Sequence, residues 1–556
     1  MCKLCEAGLP QNHFGSRRNF LKGLAATGLA TGGLKLFAPR PAAAQGGAAP
    51  FNSGAPGTRY VISGGSVMTM DPSLGNLGNF PQADVLVEGK KILDVGPNLN
   101  ASGPKIDASG AIVMPGFIDT HHHQFETALR SFLADGVLIN DGSGSPSGST
   151  TYFEFILLKF APVYRPQDVY INELYGGLSQ LDDGVTTVHD VSQIHHSPQH
   201  SDAAIQALID TGRRAAFGYF ESAGAAIIGT NPGNKYPDDA FRIKQQWFSS
   251  TDQLVTMIMG GEVYLPGYEK AWNIGRQLGL QVAAHILSPF SITPTLDLLA
   301  QNKGGDSGTL GLGSDNLFIH MTGQSDTGWN AVHDKGAQVS IAFPIEMNMR
   351  HGIPPIIKMQ QLGMAAGTPF EPSLSVDVEC TMTADFFTQM RVAMNLQRMV
   401  VNQMILEQKA TTQIEVANDA FYPPNQWPTP AAGTPPLLTT RDVLRYATIN
   451  GAKALRLDNK VGTLTRGKEA DIIILDATAI NAAPLNQVPG AVVSLMDRTN
   501  VETVIVAGKV RKWKGQLLDV ATGQALNLDP LRQQLVASRD YLFSAAGIPQ
   551  DLFRPN

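Results

Sequence analysis

Short apolar segments that end in polar residues recur along most of the chain, and each leads into a stretch with helical periodicity. This alternation predicts strands connected by helices. Strands connected in that way form a parallel sheet. The segments that we take as strands are residues 111–119, 185–190, 215–221, 280–285, 317–320, 337–342 and 372–377.

Two other parts of the chain consist of short strands separated by glycine turns. Residues 60–65, 83–90 and 91–96 near the start, and 470–475 and 501–509 near the end, have the pattern of β-hairpins. The sequence therefore predicts a small β domain built from both ends of the chain. Residues 141–150 are almost entirely Gly, Ser, Pro and Asp, which predicts a flexible loop.

The N-terminal segment predicts export. Residues 16–22 (SRRNFLK) precede a Gly- and Ala-rich apolar run at 23–37 and a small-residue pattern at 41–44, which resembles a twin-arginine signal peptide. The run of about 15 residues is shorter than the roughly 20 that span a bilayer. We therefore expect the twin-arginine export machinery as a partner, no stable membrane anchor, and a periplasmic or secreted mature protein.

Composition narrows the function classes. The 556 residues are 43% hydrophobic and 16% charged, so the chain must bury a large core. Its 42 basic and 48 acidic residues give a net charge of −6 without a basic block, which argues against nucleic acid as a partner. Cys2 and Cys5 lack a second pair that would complete a zinc site, and Cys380 alone cannot form an internal disulfide. Whether the chain forms a homo-oligomer stays open.

Several predicted strands end at side chains that bind metals. His121 and His123 follow one strand and share one face about 7 Å apart, because successive side chains of a strand alternate. A His-x-His pair alone is explained equally well by a His-rich polar loop. Three other strand segments end at His285, His320 and Asp377, and barrel active sites collect at the carboxyl ends of strands. Together these endings predict a metal site.

Three further motifs show a resemblance to a known family. They are PGFIDTH at 115–121, ATINGAKAL at 447–455 and VGTLTRGKEAD at 461–471. The chain resembles the amidohydrolase superfamily, and within it is most similar to the cytosine deaminase and triazine chlorohydrolase branch. The resemblance implies an α/β fold, a distorted (β/α)8 TIM barrel with a small β-sandwich from both ends of the mature chain. Together with the patterns above, it divides the chain into a signal peptide (1–44), a linker (45–58), a first sandwich part (59–114), the barrel (115–445), a second sandwich part (446–515) and a C-terminal helical tail (516–556).

The resemblance also implies one divalent metal ion, zinc in preference to iron, bound by His121, His123, His285 and Asp377. His320 would orient the attacking water or the substrate, and Asp377 would accept the proton of that water. A bound cation lowers the pKa of water from 15.7 towards about 7. Relatives with two metal ions bridge them with a carbamylated lysine at the end of the fourth strand. No lysine ends the fourth strand candidate, 215–221, which favours one metal ion over two.

The sequence departs from the branch at one catalytic position. Deaminases of the branch carry a glutamate three residues after the fifth-strand histidine, where this chain has Ser288. A serine does not exchange protons as a glutamate does, so another acid must serve or the leaving group needs little help. We prefer Glu346 for this role over Glu221. An equal alternative is that Glu346 pairs with Arg350 in a helical turn.

Other candidate residues lie in predicted strand ends and loops near the barrel mouth. The histidines among them either contact substrate or are merely solvated. The methionines and phenylalanines either form a partly apolar pocket wall or belong to the core. These residues are His189, His195, His196, Met347, Met349, Phe386 and Phe387.

The sequence thus predicts an exported, metal-dependent amidohydrolase that acts on a carbon–nitrogen bond, other than a peptide bond, of a small cyclic substrate. The reaction would be deamination or cleavage of an amide or cyclic amide by metal-activated water. One alternative is an ester or lactone hydrolase of the same fold, which would release no ammonia. Another is a non-catalytic periplasmic protein that binds a ligand or a metal.

Overall fold

The computed structural model describes residues 49–50, 52–140, 151–222, 233–290, 292–411 and 430–553. Residues 45–556 form one compact unit. The predicted signal peptide, part of the predicted linker and the predicted loop at 141–150 lie outside the described residues. Within the described ranges, no helix has both the length and the apolar character needed to cross a membrane.

Strands and helices alternate through the middle of the chain, whereas strands dominate near both ends. The strands are β1 (Arg59–Met68), β2 (Asn79–Glu88), β3 (Lys91–Gly96), β4 (Lys105–Asp107), β5 (Ala111–Pro115), β6 (Phe117–His122), β7 (Val185–Ser192), β8 (Arg214–Tyr219), β9 (Val255–Gly260), β10 (Val282–Ile286), β11 (Asn316–His320), β12 (Gln338–Ile341), β13 (Ser373–Leu374), β14 (Ile472–Asp476), β15 (Val501–Val506), β16 (Lys509–Trp513) and β17 (Gln516–Leu517).

The α-helices lie mainly between the strands of the middle region. They are α1 (Pro166–Asp182), α2 (Pro198–Asp210), α3 (Ala240–Trp247), α4 (Tyr268–Gln277), α5 (Thr293–Ala300), α6 (Asp326–Asp334), α7 (Phe343–Asn348), α8 (Ile356–Ala366), α9 (Phe386–Thr411), α10 (Thr440–Arg445), α11 (Gly451–Ala454), α12 (Val488–Ser494) and α13 (Asp529–Ala545). π-helices span Phe153–Phe160 and Tyr446–Asn450, and short 3-10 helices span Gln124–Leu129, Ala161–Val163, Ser288–Phe290 and Arg498–Asn500.

Polar residues determine where some helices begin. The Ser325 hydroxyl accepts a hydrogen bond from the N–H of Gly328 at the start of α6. At the start of α10, Thr439 and Asp442 cap each other reciprocally. These contacts satisfy N–H groups that have no partner within the helix.

The strands β6 to β13 form one parallel sheet, in which their spatial order follows the chain. The sheet nearly closes on itself, because His122 of β6 forms a parallel bridge with Asp377, just past β13. Side chains such as Ile118, Ala283 and Leu317 form a buried cluster from different strands. The middle of the chain is therefore a nearly closed eight-stranded barrel.

The sequence-based strand assignment needs two corrections. The segment 111–119 is divided at Gly116: β5 pairs with β1 and β14, whereas β6 pairs with β7. A Cβ atom at Gly116 would lie 2.2 Å from the Thr186 side chain, so the close approach requires glycine. The prediction also missed β9 and counted the segment 215–221 as the fourth barrel strand. In the structure this segment is β8, the third barrel strand, and β9 is the fourth. Glu262, not a lysine, follows the true fourth strand closely, so the argument for one metal ion still applies.

A second sheet takes strands from both ends of the described chain, in the order β17-β16-β15-β14-β5-β1-β2-β3, with β4 paired to β1. Its two faces contact different cores. Ile472 and Ile474 of β14 belong to a small cluster within the sheet region, whereas Ile473 and Leu475 belong to the large cluster that includes the barrel helices. Alternation along the strand explains this division.

The predicted fold class is confirmed, since an eight-stranded parallel barrel is joined to a β-rich part drawn from both ends of the chain. The second sheet continues to Leu517, beyond the boundary predicted at residue 515. The other predicted domain boundaries stay predictions.

Candidate metal centre

The barrel brings the predicted metal ligands to one end. His121 and His123 lie at the end of β6, and His285 lies near the end of β10. His320 is the last residue of β11, and Asp377 follows β13. Each of these residues is at most 6% exposed. The carboxyl ends of four barrel strands thus supply one buried cluster.

The ligand atoms of this cluster face one another. Nε2 of His121 lies 3.0 Å from Nε2 of His123 and 3.1 Å from Nε2 of His285. Oδ1 of Asp377 lies 3.6 Å from Nε2 of His121 and 3.7 Å from Nε2 of His123. Oδ2 of Asp377 lies 3.6 Å from Nε2 of His320. The donor atoms therefore surround a common centre.

Contacts on the far side of the rings fix which nitrogens face this centre. Nδ1 of His123 lies 2.9 Å from the carbonyl oxygen of Val191, which can only accept, so Nδ1 carries the proton. Nδ1 of His285 lies 2.5 Å from a carboxylate oxygen of Glu262. Nε2 of His123 then presents a lone pair toward His121, and Nε2 of His285 does so when Glu262 is ionised. Such lone pairs repel each other unless a cation lies between them. This donor set fits a divalent metal ion.

The protonation states also suit metal binding. Burial lowers the pKa of His285 to about 3. Burial, reinforced by neighbouring imidazoles, lowers the pKa of His121 well below its ordinary value. Neutral imidazole is the form that binds metals. Burial raises the pKa of Asp377, and the charges of Glu126 and Asp119 raise it further, so a cation here would favour the charged carboxylate.

Two of the site residues have left-handed backbones. His320 and Asp377 both have φ of 72°, which is rare for residues other than glycine. The strand end is held by hydrogen bonds of 2.8 Å from the N–H of His123 to the carbonyl of Asp377 and 2.9 Å from the N–H of Asp377 to the carbonyl of His121. Strained conformations of this kind concentrate at functional sites.

Glu346 lies behind His320. Its Oε1 accepts hydrogen bonds from Nδ1 of His320 at 2.9 Å and from the N–H of Ala342 at 3.1 Å. This contact is on the opposite ring edge from the one that faces Asp377. Burial raises the pKa of Glu346 well above its ordinary value, and the charge of Asp377 raises it further. The geometry makes Glu346 a positioning residue for His320, and its role as proton shuttle stays a prediction.

A cavity opens onto the metal-ligand cluster. It is lined by His123, His285, His320 and Asp377, and Asp377 is the one carboxylate in this lining within the described chain. Its walls include leucines and the stacked rings of Tyr264 and Phe290, whose centroids are 4.6 Å apart.

Of the predicted wall residues, Met349 lines this cavity. Met347 is 49% exposed. Phe386 and Phe387 pack against Phe117 in the core. Sequence reasoning could not separate these cases, because they depend on how α7 and α9 are oriented.

Neither Ser288 nor Glu221 lines the cavity as described. Ser288 is exposed in a 3-10 helix. Glu221 accepts a hydrogen bond of 2.9 Å from the N–H of Glu262. Sequence reasoning missed Glu262, although the apolar run at Val255–Gly260 that precedes it follows the same pattern as the recognised strands.

The three histidines of β7 and the loop after it make structural contacts. Nδ1 of His189 in β7 lies 3.0 Å from the carbonyl of Thr120. Nε2 of His195 lies 2.8 Å from the carbonyl of Ser192 at the end of β7, and Nε2 of His196 lies 2.7 Å from the carbonyl of Ala161. Within the described chain, none of the three lines the cavity.

The sequence matches known proteins over most of its length. Residues 434–511 match the model of the amidohydrolase family. Over 486 residues the chain is 25% identical to 5-methylthioadenosine/S-adenosylhomocysteine deaminase of Pelotomaculum thermopropionicum, covering 83% of this chain and 94% of the relative. A 5'-deoxyadenosine deaminase of Methanosarcina acetivorans is 24% identical over 465 residues, covering 81% and 92%.

Solved structures share the fold. An adenosine deaminase from Xanthomonas campestris with bound zinc has a TM-score of 0.65 and 20% identity, covering 88% of this chain and 100% of that one. Atrazine chlorohydrolase from Arthrobacter aurescens complexed with zinc has a TM-score of 0.63 and 18% identity, covering 86% and 100%. The family model, over residues 434–511, supports the amidohydrolase superfamily, and the solved structures show the shared fold. The predicted enzyme class is confirmed at this level, because these amidohydrolase relatives include deaminases, which hydrolyse carbon–nitrogen bonds.

Proposed function

We propose that this chain is a metal-dependent deaminase that replaces the exocyclic amino group of a small planar heterocycle by an oxygen from water and releases ammonia. The observation that carries the proposal is the convergence of three Nε2 atoms and Asp377 at the base of a cavity with aromatic walls. The relatives named above are supporting, since several are deaminases of adenosine derivatives.

Zinc is the preferred ion, with iron as the alternative, because both solved relatives named above hold zinc. His121, His123, His285 and Asp377 would hold it. When bound, the ion would supply the positive charge that makes a water molecule nucleophilic near neutral pH.

The chain's own residues divide the remaining work. Glu346 accepts the Nδ1–H of His320, which leaves Nε2 of His320 to accept a hydrogen bond from the attacking water and to orient it. Oδ2 of Asp377 has no hydrogen-bond partner in the described chain and lies 3.6 Å from that Nε2. Asp377 is therefore placed to take one proton of the water and to pass it to the leaving nitrogen.

The cavity walls favour a flat, partly apolar substrate. The stacked pair of Tyr264 and Phe290 and the side chain of Leu287 line one region of the cavity. Aromatic and aliphatic walls exclude water and stack on planar rings. A planar ring with an amino group would place its polar edge toward the histidines.

Metal analysis beside an ammonia-release screen tests the proposal. The panel would contain adenosine, 5'-deoxyadenosine, aminopyrimidines, aminotriazines, cyclic amides and lactones. We expect ammonia from at least one aminated heterocycle, loss of turnover on chelation and recovery with Zn²⁺. Turnover of lactones without ammonia would instead support the ester or lactone hydrolase. Binding without any turnover by metal-replete protein would support a binding protein, and full activity after chelation would refute the metal site.

We also propose that the chain is exported through the twin-arginine machinery, with a periplasmic or secreted mature form. The supporting feature is the pair Arg17 and Arg18 before an apolar run. Replacing both with lysine should retain the protein in the cytoplasm, as measured by cell fractionation. Normal export of the double variant would contradict the proposal.

A further inference from the structure

His351 lies buried in the cavity wall with both ring nitrogens unpaired. It is 3% exposed and lines the same cavity as His320 and Asp377. Neither Nδ1 nor Nε2 has a hydrogen-bond partner among the residues that the structure describes. Burying a polar group without a partner costs folding free energy. This arrangement argues for a partner that arrives with the substrate.

The other cavity histidines differ from His351 in this respect. His123, His285 and His320 each have Nδ1 engaged by a carbonyl or carboxylate oxygen. Their remaining nitrogens face the metal-ligand cluster. His351 is therefore the cavity imidazole whose hydrogen-bonding capacity the protein leaves unused within the described chain.

The backbone fixes the position of the His351 ring. Its carbonyl accepts a hydrogen bond of 2.7 Å from the Thr322 hydroxyl. Arg350 before it is left-handed with φ of 61°, and Gly352 after it has φ of 125°. The ring packs edge to face on His320, with centroids 4.8 Å apart. A loop held in this way presents the imidazole beside the site of reaction.

The imidazole is neutral near pH 7. Burial, together with a smaller effect of the nearby His285, lowers the pKa of His351 to about 3. A neutral imidazole has one N–H donor and one acceptor nitrogen. It can therefore donate a hydrogen bond without carrying a charge that would repel the metal ion.

We propose that His351 donates a hydrogen bond to the ring nitrogen next to the amino-bearing carbon of an aminated heterocycle. It would thereby fill the role of the glutamate that related deaminases carry at the position of Ser288. The proposal rests on the proposed function and names its substrate class more narrowly, as rings such as adenine, cytosine or an aminotriazine that carry a nitrogen at this position.

The step balances without a further reactant. Water oxygen forms a bond to the amino-bearing carbon, and the electron pair of the C=N π bond moves onto the ring nitrogen, where the N–H of His351 stabilises it. The water proton goes to Asp377 and then to the amino nitrogen. Ammonia leaves with the electron pair of its C–N bond, and the ring-nitrogen pair re-forms the C=N bond. Donors aimed at developing charge are worth roughly 10²–10³ in turnover.

The test compares adenosine with 1-deazaadenosine, which lacks the ring nitrogen in question, on metal-replete wild type, His351→Phe and His351→Gln. Phe keeps the packing on His320, and Gln keeps an N–H donor. His333→Phe is the matched control, because His333 is a half-buried histidine of α6 that pairs with Asp334. Metal content and thermal midpoint are measured for each variant.

We expect His351→Phe to lower kcat/KM for adenosine roughly 10²–10³-fold, while the inhibition constant of 1-deazaadenosine changes less than about threefold, since it never receives this hydrogen bond. His351→Gln should restore most of the adenosine activity. Unchanged adenosine kinetics in His351→Phe would overturn the proposal. Failure of His351→Gln to restore more activity than His351→Phe retains would also overturn it, because His351 would then only support His320.

Failure of the proposed function gives a different result. Wild type would then bind adenosine without releasing ammonia. In that case calorimetric dissociation constants of adenosine and 1-deazaadenosine, measured on wild type and His351→Phe, would decide whether His351 donates to the ring nitrogen. If wild type binds neither adenosine nor an aminopyrimidine nor an aminotriazine, the assigned substrate class is wrong and the proposal falls with it.

Discussion

The two ends of the barrel both bury polar side chains, but they arrange them in opposite ways. At the amino end, Arg214 of β8 donates to Glu469 at 2.7 Å and to Asp471 at 3.0 Å, which joins the barrel to the second sheet. At the carboxyl end, the nitrogens of His121 and its neighbours face one another, and Oδ2 of Asp377 has no hydrogen-bond partner in the described chain. Groups that pair within the protein stabilise the fold, whereas groups left facing each other need a ligand.

The pKa directions show the same contrast. Burial would raise the pKa of Glu469, but the charge and hydrogen bond of Arg214 lower it below its ordinary value. Burial and the neighbouring carboxylates all raise the pKa of Asp377. A buried carboxylate with a protein cation beside it is charged and structural, whereas Asp377 gains a cation only when a metal binds.

The largest expected effect is at the carboxyl end. Replacing Asp377 with Asn keeps the shape but removes the proton acceptor, so turnover should fall roughly 10²–10⁴-fold. Steady-state kinetics with elemental analysis would separate lost chemistry from lost metal. The same change at the exposed Asp334 is the control. Wild-type turnover in the Asp377→Asn variant would show that the cluster is not catalytic.

At the amino end we expect a large loss of stability without a loss of chemistry. Arg214→Met leaves Glu469 and Asp471 buried without their arginine, which should lower the free energy of unfolding by about 3–5 kcal/mol. The thermal midpoint should fall, while turnover per folded molecule stays the same.

Arg242→Met is the control for Arg214→Met. Arg242 pairs with Asp202 and Asp239 at the partly exposed surface, where each such pair contributes about 0–1 kcal/mol. If both variants lost the same stability, the amino-end cluster would be no more important than a surface ion pair.

Glu262 should affect metal affinity. Its carboxylate holds Nδ1 of His285, and removing such a contact weakens metal binding roughly 10–100-fold. Glu262→Gln should therefore require more Zn²⁺ for half-maximal activity in a titration from the metal-free state, yet reach nearly wild-type turnover at saturation. An unchanged titration curve would assign Glu262 a packing role.

Glu346 allows a sharper distinction between two roles. If Glu346 only positions His320, Glu346→Gln should lower turnover by about 10–100-fold with metal content unchanged. If Glu346 is the proton shuttle, it acts in every turnover, and Glu346→Gln should lower turnover by up to about ten-thousand-fold. Kinetics beside metal analysis distinguish these ranges.

The sequence predicted that five side chains lie together because its signals are local. His121 and His123 alternate on one strand, and His285, His320 and Asp377 each end an apolar segment. The resemblance supplied their roles. These residues meet because parallel strands bring their carboxyl ends together.

The remaining features depend on tertiary contacts. One predicted strand divides at Gly116 because the residues before it pair with β1 and β14 and those after it pair with β7, all of them distant in sequence. The direction of Glu346 toward His320 depends on how α7 is oriented. The unpaired state of His351 among the described residues depends on where their side chains lie in the folded chain. Glu262 could have been found, since it follows an apolar run like the others.

The smallest expected effect is a pH dependence at the amino end. In the folded protein the pKa of Glu469 lies below its ordinary value of 4.5. At pH values between the folded pKa and 4.5, the unfolded chain therefore binds more protons than the folded one. The stability that Arg214 confers through Glu469 is therefore fully present above pH 4.5 and is lost as pH falls through the folded pKa. The gap in thermal midpoint between wild type and Arg214→Met should be widest near pH 7 and narrow below pH 4.5, measured with saturating Zn²⁺ in both. A gap that stays constant or widens at low pH would mean that the charge of Glu469 contributes nothing to holding the two sheets together.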